Sequence, residues 1–179
     1  ARQRSVGAKQ WDAYTPYEWR NLGAFIRLRW RERGEELIEF FMNDRRPKEW
    51  NQWAEVIGRE PRKSRFIGDM PHGWVASDFI RSVLDLFAYE READSSLVLA
   101  AGVPDAWLAD DGVAIDGLYT PYGRLSWSLR DDGRRVRLHV DRADLRIPPG
   151  RVQDEDLALD VLRQRVPRQA CGQRDDKRH

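Results

Sequence analysis

The chain has little of what several protein classes require. Among its 179 residues there is one cysteine, Cys171, which excludes an internal disulfide, so nothing here requires an oxidising compartment. No apolar run approaches the roughly 18 residues that a membrane-spanning helix needs. Residues 1–10 contain no apolar stretch, so we expect no signal peptide there. These deficits predict a globular protein with no membrane partner.

Excess charge and metal-ligand clusters are also missing. Lys and Arg total 31 against 30 Asp and Glu, and this balance argues against a nucleic-acid partner held by overall charge. The basic stretch at residues 27–33 is more typical of a solvated helix face than of a phosphate-binding surface, so a nucleic-acid binder that uses this arginine-rich helix is the weakest of the functions considered. The three histidines, His72, His139 and His179, are scattered, and there is no Gly-rich phosphate loop. We therefore expect no metal site and no cofactor.

What the chain does have is aromatic side chains. It contains eight Trp, five Tyr and six Phe, a content that disordered chains lack, so a packed core is expected. Its mean hydropathy is nevertheless low, at −0.74. The aromatic residues therefore either provide much of the buried surface or line a surface that binds something.

Residues 1–92 have the periodicity of helices. A capping box at residues 15–18 predicts a helix start. Apolar side chains follow at helical spacing as far as Trp30, and Gly34 is the predicted stop. A shorter helix is predicted around residues 35–43, and a long one from about Gly73 to Glu90. This part is therefore predicted as a helical segment.

Residues 93–149 have the period of two that is typical of strands. Leu125, Trp127 and Leu129 alternate with polar residues, and a second alternating run follows at residues 136–140. Asp131-Asp132-Gly133 between them predicts a hairpin loop, with the glycine in a left-handed conformation. We therefore predict an α+β fold in which residues 93–149 form a small antiparallel β-sheet or sandwich. The polar tail at residues 150–179 is predicted to be poorly ordered.

The stretch from Trp50 to Trp74 has the residue types of a carbohydrate site. It holds three tryptophans (Trp50, Trp53 and Trp74) together with Glu55, Asp69 and His72. Sugar rings stack their C–H faces on aromatic planes, and their hydroxyls need carboxylate and imidazole partners. An equally open interpretation is that the tryptophans belong to the core, that Glu55 is a solvated carboxylate, and that His72 serves the start of a helix.

A resemblance favours the first interpretation. The order of elements over residues 15–149 resembles the C-terminal part of six-hairpin glycosidases, the (α/α)6-toroid glycoside hydrolases, and most closely bacterial α-L-rhamnosidase-like proteins. Three segments carry this resemblance, namely Gln52-Trp53-Ala54-Glu55, Met70-Pro71-His72-Gly73 and Thr120-Pro121-Tyr122-Gly123. Compared with the family, this chain has one extra residue between Trp and Glu and lacks the tyrosine that follows the histidine.

The resemblance implies a site and a function. Residues 1–92 would be the last part of the toroid. Glu55 would be the catalytic base, Asp69 and His72 would orient sugar hydroxyls, and Trp50, Trp53 and Trp74 would wall the sugar pocket. The family's general acid lies earlier in the toroid. We therefore expect the C-terminal portion of a carbohydrate-active enzyme that acts on a carbohydrate substrate but does not hydrolyse it alone.

Two further expectations stay open beside this one. The first is a non-catalytic module that binds carbohydrate or another protein through the tryptophans or through the sheet surface. The second is self-association, because a partial toroid leaves apolar helix faces uncovered.

Overall fold

The computed structural model describes residues 7, 10–63, 66–94, 96–133 and 135–141. In these residues there are three α-helices and seven strands, which confirms the predicted α+β fold. The predicted tail at 150–179 and the end of the predicted β-domain lie outside the described residues. Within the described part, no helix combines the length and the hydropathy that crossing a membrane would require.

The helices are α1 (Arg20–Arg27), α2 (Arg31–Asp44) and α3 (Gly73–Phe87). A 3-10 turn (Pro16–Trp19) leads into α1, and two more occur at Lys48–Trp50 and Asp105–Leu108. Both α1 and α3 pack against the first 3-10 turn and against each other.

The break between α1 and α2 lies earlier than the sequence predicts. Arg29 has a φ of 61°, and this left-handed residue ends α1. Gly34 does not stop a helix, because it lies buried inside α2. A methyl group on Gly34 would lie 3.2 Å from the Leu22 side chain, so the glycine permits α2 to approach α1 closely.

The seven strands form three small antiparallel sheets. β1 (Ala13–Tyr14) pairs with β2 (Ile57–Gly58), and β3 (Ala88–Arg91) pairs with β4 (Ser96–Leu99). The third sheet contains β5 (Val113–Thr120), β6 (Gly123–Asp131) and β7 (Val136–Asp141) in that order. The predicted loop joins β6 to β7, and Gly133 there has a φ of 82°. The predicted boundary at residue 92 falls in the turn between β3 and β4.

Two apolar clusters lie under these elements. The first is rich in aromatic rings and contains Trp19, Phe41 and Trp53, which pack on one another with ring centroids 4.9 to 6.5 Å apart. The second lies under the three-stranded sheet and contains the inward-facing side chains of β6, namely Leu125, Trp127 and Leu129. Phe87, the last residue of α3, packs against both clusters.

Two ion pairs connect α1 to α3. Arg20 Nε lies 2.7 Å from Asp78 Oδ2, and Arg27 Nη1 lies 2.5 Å from Asp85 Oδ2. Both arginines are in α1, both aspartates are in α3, and the two pairs are seven residues apart in each helix. The two helices therefore run parallel, and the ion pairs fix their position relative to each other along the helix axes.

Candidate functional site

Backbone hydrogen bonds bring the predicted site residues together. Residues 53–58 run antiparallel to residues 66–72, so that Glu55 N donates to Asp69 O at 2.9 Å and His72 N donates to Trp53 O at 2.8 Å. The Thr15 hydroxyl donates to Glu55 O at 2.7 Å and accepts a hydrogen bond from Tyr17 N. The segment that carries Glu55 is thereby held against both the start of α3 and the turn before α1.

The side chain of His72 lies between a tyrosine and an aspartate. The Tyr17 hydroxyl is 2.8 Å from His72 Nε2, and Asp69 Oδ2 is 3.8 Å from His72 Nδ1. The second distance is too long for a hydrogen bond but short enough for an ion pair when the imidazole is protonated. When neutral His72 carries its proton on Nδ1, the Tyr17 hydroxyl donates to Nε2. The imidazole is largely buried, whereas Asp69 is exposed.

Glu55 acts on the same tyrosine through its charge. Desolvation raises the pKa of the Tyr17 phenol above its ordinary value, and the negative charges of Glu55 and Asp78 raise this pKa further, whereas Arg20 lowers it. The Arg20 guanidinium lies over the Tyr17 ring, 4.5 Å from its centroid. Tyr17 is therefore a neutral hydroxyl at physiological pH that is hydrogen-bonded to His72 and lies within the electrostatic influence of the exposed Glu55.

The three predicted tryptophans lie in different environments. Trp74 is 74% exposed, and its ring meets the His72 ring edge-on with centroids 5.9 Å apart. Trp50 is also exposed, at the end of a 3-10 turn. Trp53 is 5% exposed and packs against Trp19 and Phe79 in the first apolar cluster. The side chain of Trp53 is thus a core group, and Trp74 is the tryptophan that lies beside His72.

We call the surface formed by Tyr17, Glu55, Asp69, His72 and Trp74 the His72 cluster. Four of these residues are among the predicted site residues. Tyr17 was not among the predicted site residues, because it is 55 residues from His72 along the chain and lies in a segment that indicates only a helix start. The cluster combines an exposed aromatic face, a neutral hydroxyl, an imidazole and two carboxylates, which together suit a neutral polyhydroxylated ligand.

Among the described residues, no three His, Cys, Asp or Glu side chains are grouped so that they could hold a metal ion. Comparison of the chain with protein-family models, with curated proteins and with solved structures found no match.

Proposed function

We propose that the His72 cluster binds a sugar unit and that the chain acts as part of a carbohydrate-active enzyme of the toroid glycoside hydrolase type. The observation that carries this proposal is the position of the Trp74 ring beside the Tyr17–His72 pair. The ring offers an exposed flat face for the C–H groups of a sugar. Tyr17, His72 and Asp69 offer donors and acceptors for its hydroxyls.

In this proposal Glu55 is the general base. Its backbone is held by Thr15 and Asp69 while the residue itself is exposed, so the carboxylate can reach a water molecule on the far side of a bound sugar. An inverting enzyme needs its two carboxyl groups about 6.5–9.5 Å apart to leave room for that water. Asp78 is held by Arg20 and is a poor candidate for the acid. The family resemblance assigns the acid to another part of the toroid, so we expect this chain to bind sugar without cleaving it.

The ion pair of Asp78 also favours a second candidate, a non-catalytic carbohydrate-binding module, in which Glu55 only accepts hydrogen bonds from hydroxyls. The two candidates share the same binding surface. They differ in the role of Glu55. A general base needs the negative charge of the carboxylate, whereas an amide oxygen can largely replace a carboxylate that only accepts hydrogen bonds.

Binding is tested first, by screening a glycan array and then titrating the glycans that bind, using calorimetry. We expect Trp74→Ala to weaken binding by about tenfold or more, because it removes a side-chain surface worth roughly 1.5–3 kcal/mol when buried. The matched control is Trp107→Ala, which truncates another exposed tryptophan on the Asp105–Leu108 turn and should leave affinity unchanged. Equal effects of the two variants, or no binding by the parent chain, would refute the proposal.

The role of Glu55 is tested with Glu55→Gln. If Glu55 is a base, this variant binds the sugar about as well as the parent chain. In an assembled enzyme that contains the acid, it lowers turnover by orders of magnitude. Unchanged turnover would remove Glu55 from the mechanism and leave the binding module.

A further inference from the structure

A groove runs along the outer face of α3, starting beside the His72 cluster. Its volume is about 520 Å³, and it is bounded by α3 on one side and by β3, β4 and the end of β5 on the other. Gly73, the residue between His72 and Trp74, lines its first part. No residue of the His72 cluster lines the groove itself, but Gly73 places this end of the groove directly next to His72 and Trp74 along the chain.

The floor of the groove is apolar and its walls carry free polar groups. Ile80 and Leu84 of α3 lie in it and are both exposed. Ser77, Arg81 and Glu90 also line it, and in the described part of the chain their side chains hydrogen-bond to no other protein group. A purely apolar partner would desolvate this cation and this anion without offering either of them a hydrogen bond, which is costly. The groove therefore suits a ligand with both apolar faces and many hydroxyls.

Tyr119 provides a second aromatic platform on the wall formed by β5. It is 82% exposed and lines the groove. The axial rise from Gly73 to Leu84 along α3 is about 16 Å, so the groove extends well beyond the space that one sugar ring at His72 occupies. An exposed aromatic ring thus lies on the wall of the groove, in Tyr119, and another, Trp74, directly follows the groove residue Gly73 along the chain.

We propose that this groove binds the further units of an oligosaccharide chain whose first unit lies on the His72 cluster. The inference rests on the proposed function and extends it, because it makes the ligand a chain rather than a single sugar. Tyr119 stacks on a distal ring, while Arg81, Glu90 and Ser77 hydrogen-bond to hydroxyls along the chain.

The test is calorimetric titration with a series of oligosaccharides of increasing length, built on the glycan that binds best in the array. We expect affinity to rise by about tenfold or more from the shortest to the longest member. Tyr119→Ala and Arg81→Ala should each reduce this rise while leaving the affinity for the shortest member unchanged. The control, Trp107→Ala, should change neither the rise in affinity with length nor the affinity for the shortest oligosaccharide. The two groove variants lie on different elements, so a folding defect in one leaves the other informative.

The outcomes separate the two proposals. If the shortest sugar binds through Trp74 but affinity does not rise with length, or rises equally in the groove variants, the groove inference is wrong and the sugar site stands. If no glycan binds, both fail. Sedimentation equilibrium tests the alternative that a second copy of the chain occupies the groove. A concentration-dependent dimer that Ile80→Arg abolishes would support that alternative and overturn the inference.

Discussion

The two ion pairs between α1 and α3 allow a comparison within one molecule. Both are Arg–Asp pairs, yet their solvent exposure differs. The Arg20 side chain is 62% exposed, whereas Asp85 is 12% exposed and its partner Arg27 is 39% exposed. Arg27→Met therefore removes the partner of a nearly buried carboxylate, and Arg20→Met removes the partner of a more accessible one.

The magnitudes follow from these environments. Asp85 accepts two hydrogen bonds from Arg27, at 2.5 and 3.1 Å, and Arg27 Nη1 also donates to Gly23 O at 3.2 Å. Removing one partner of a fully buried pair costs about 3–5 kcal/mol, because the remaining charge is left without compensation. Since water reaches part of Arg27, we expect Arg27→Met to lower the free energy of unfolding by about 2–3 kcal/mol, whereas Arg20→Met should lower it by about 0–1 kcal/mol.

Urea unfolding followed by circular dichroism measures the free energies, and calorimetry measures the melting temperatures. For a chain of this size the expected loss corresponds to a fall in Tm of about 4–12 °C. A double-mutant cycle with Asp85→Asn isolates the coupling between the two side chains. If Arg27→Met costs no more than Arg20→Met, Asp85 is hydrated in the native state and the reasoning from burial is wrong.

Three further predictions concern other sites. Gly102→Ala should lower the free energy of unfolding, measured in urea, by about 1–3 kcal/mol, because the new methyl group would lie 2.6 Å from Leu86 Cδ2. The control is Gly73→Ala, whose methyl group would meet no atom within 4 Å and should leave the free energy of unfolding unchanged. Hydrogen bonds from Arg91 and Ser96 hold the pKa of Asp94 well below its usual range, so its stabilising contribution is complete above the unfolded value of about 3.9 and declines as pH falls below it. Asp94→Asn should therefore weaken the acid dependence of hydrogen exchange in the β3–β4 hairpin, and an unchanged dependence would contradict this. Glu55→Gln should lower the pKa of Tyr17, measured by carbon NMR of its ring, because the charge of Glu55 raises this pKa. An unchanged pKa would show that Glu55 does not interact with Tyr17 and does not belong to the His72 cluster.

Strand alternation was the most reliable guide to the fold. Leu125, Trp127 and Leu129 alternate in sequence, and all three are buried in the second cluster. The pairing of β5 is less regular, because its register with β6 shifts between Ile115 and Leu118. An irregularity of this kind interrupts the period of two, so alternation alone does not indicate the full length of such a strand.

Helix ends were predicted less well, because distant groups decide them. The sequence predicts that the third helix continues to Glu90, whereas α3 ends at Phe87. Ala100 N donates to Phe87 O at 2.8 Å, and Gly102 N donates to Leu86 O at 3.2 Å. The segment after β4 thus provides hydrogen-bond donors to the last carbonyl groups of α3, which in many helices are satisfied by a local capping glycine. No residue close to Phe87 in sequence therefore indicates that the helix ends there.

The candidate site was predictable in part. Clustering of residue types between Trp50 and Trp74 indicated Glu55, Asp69 and His72, and the pairing of residues 53–58 with 66–72 brings their backbones together. Local sequence cannot show which aromatic rings face inward, because Trp53 and Trp74 differ only in their tertiary surroundings. Tyr17 depends on a contact between segments that are far apart along the chain.

The direct passage of α3 into β3 has a mechanical consequence. α3 ends at Phe87 and β3 begins at Ala88, so no linker separates the helix from the hairpin. α3 has 15 residues and is about 22 Å long. The β3–β4 hairpin and His72 are therefore attached to opposite ends of one continuous helix, and we expect a displacement of the hairpin to change the position of the imidazole.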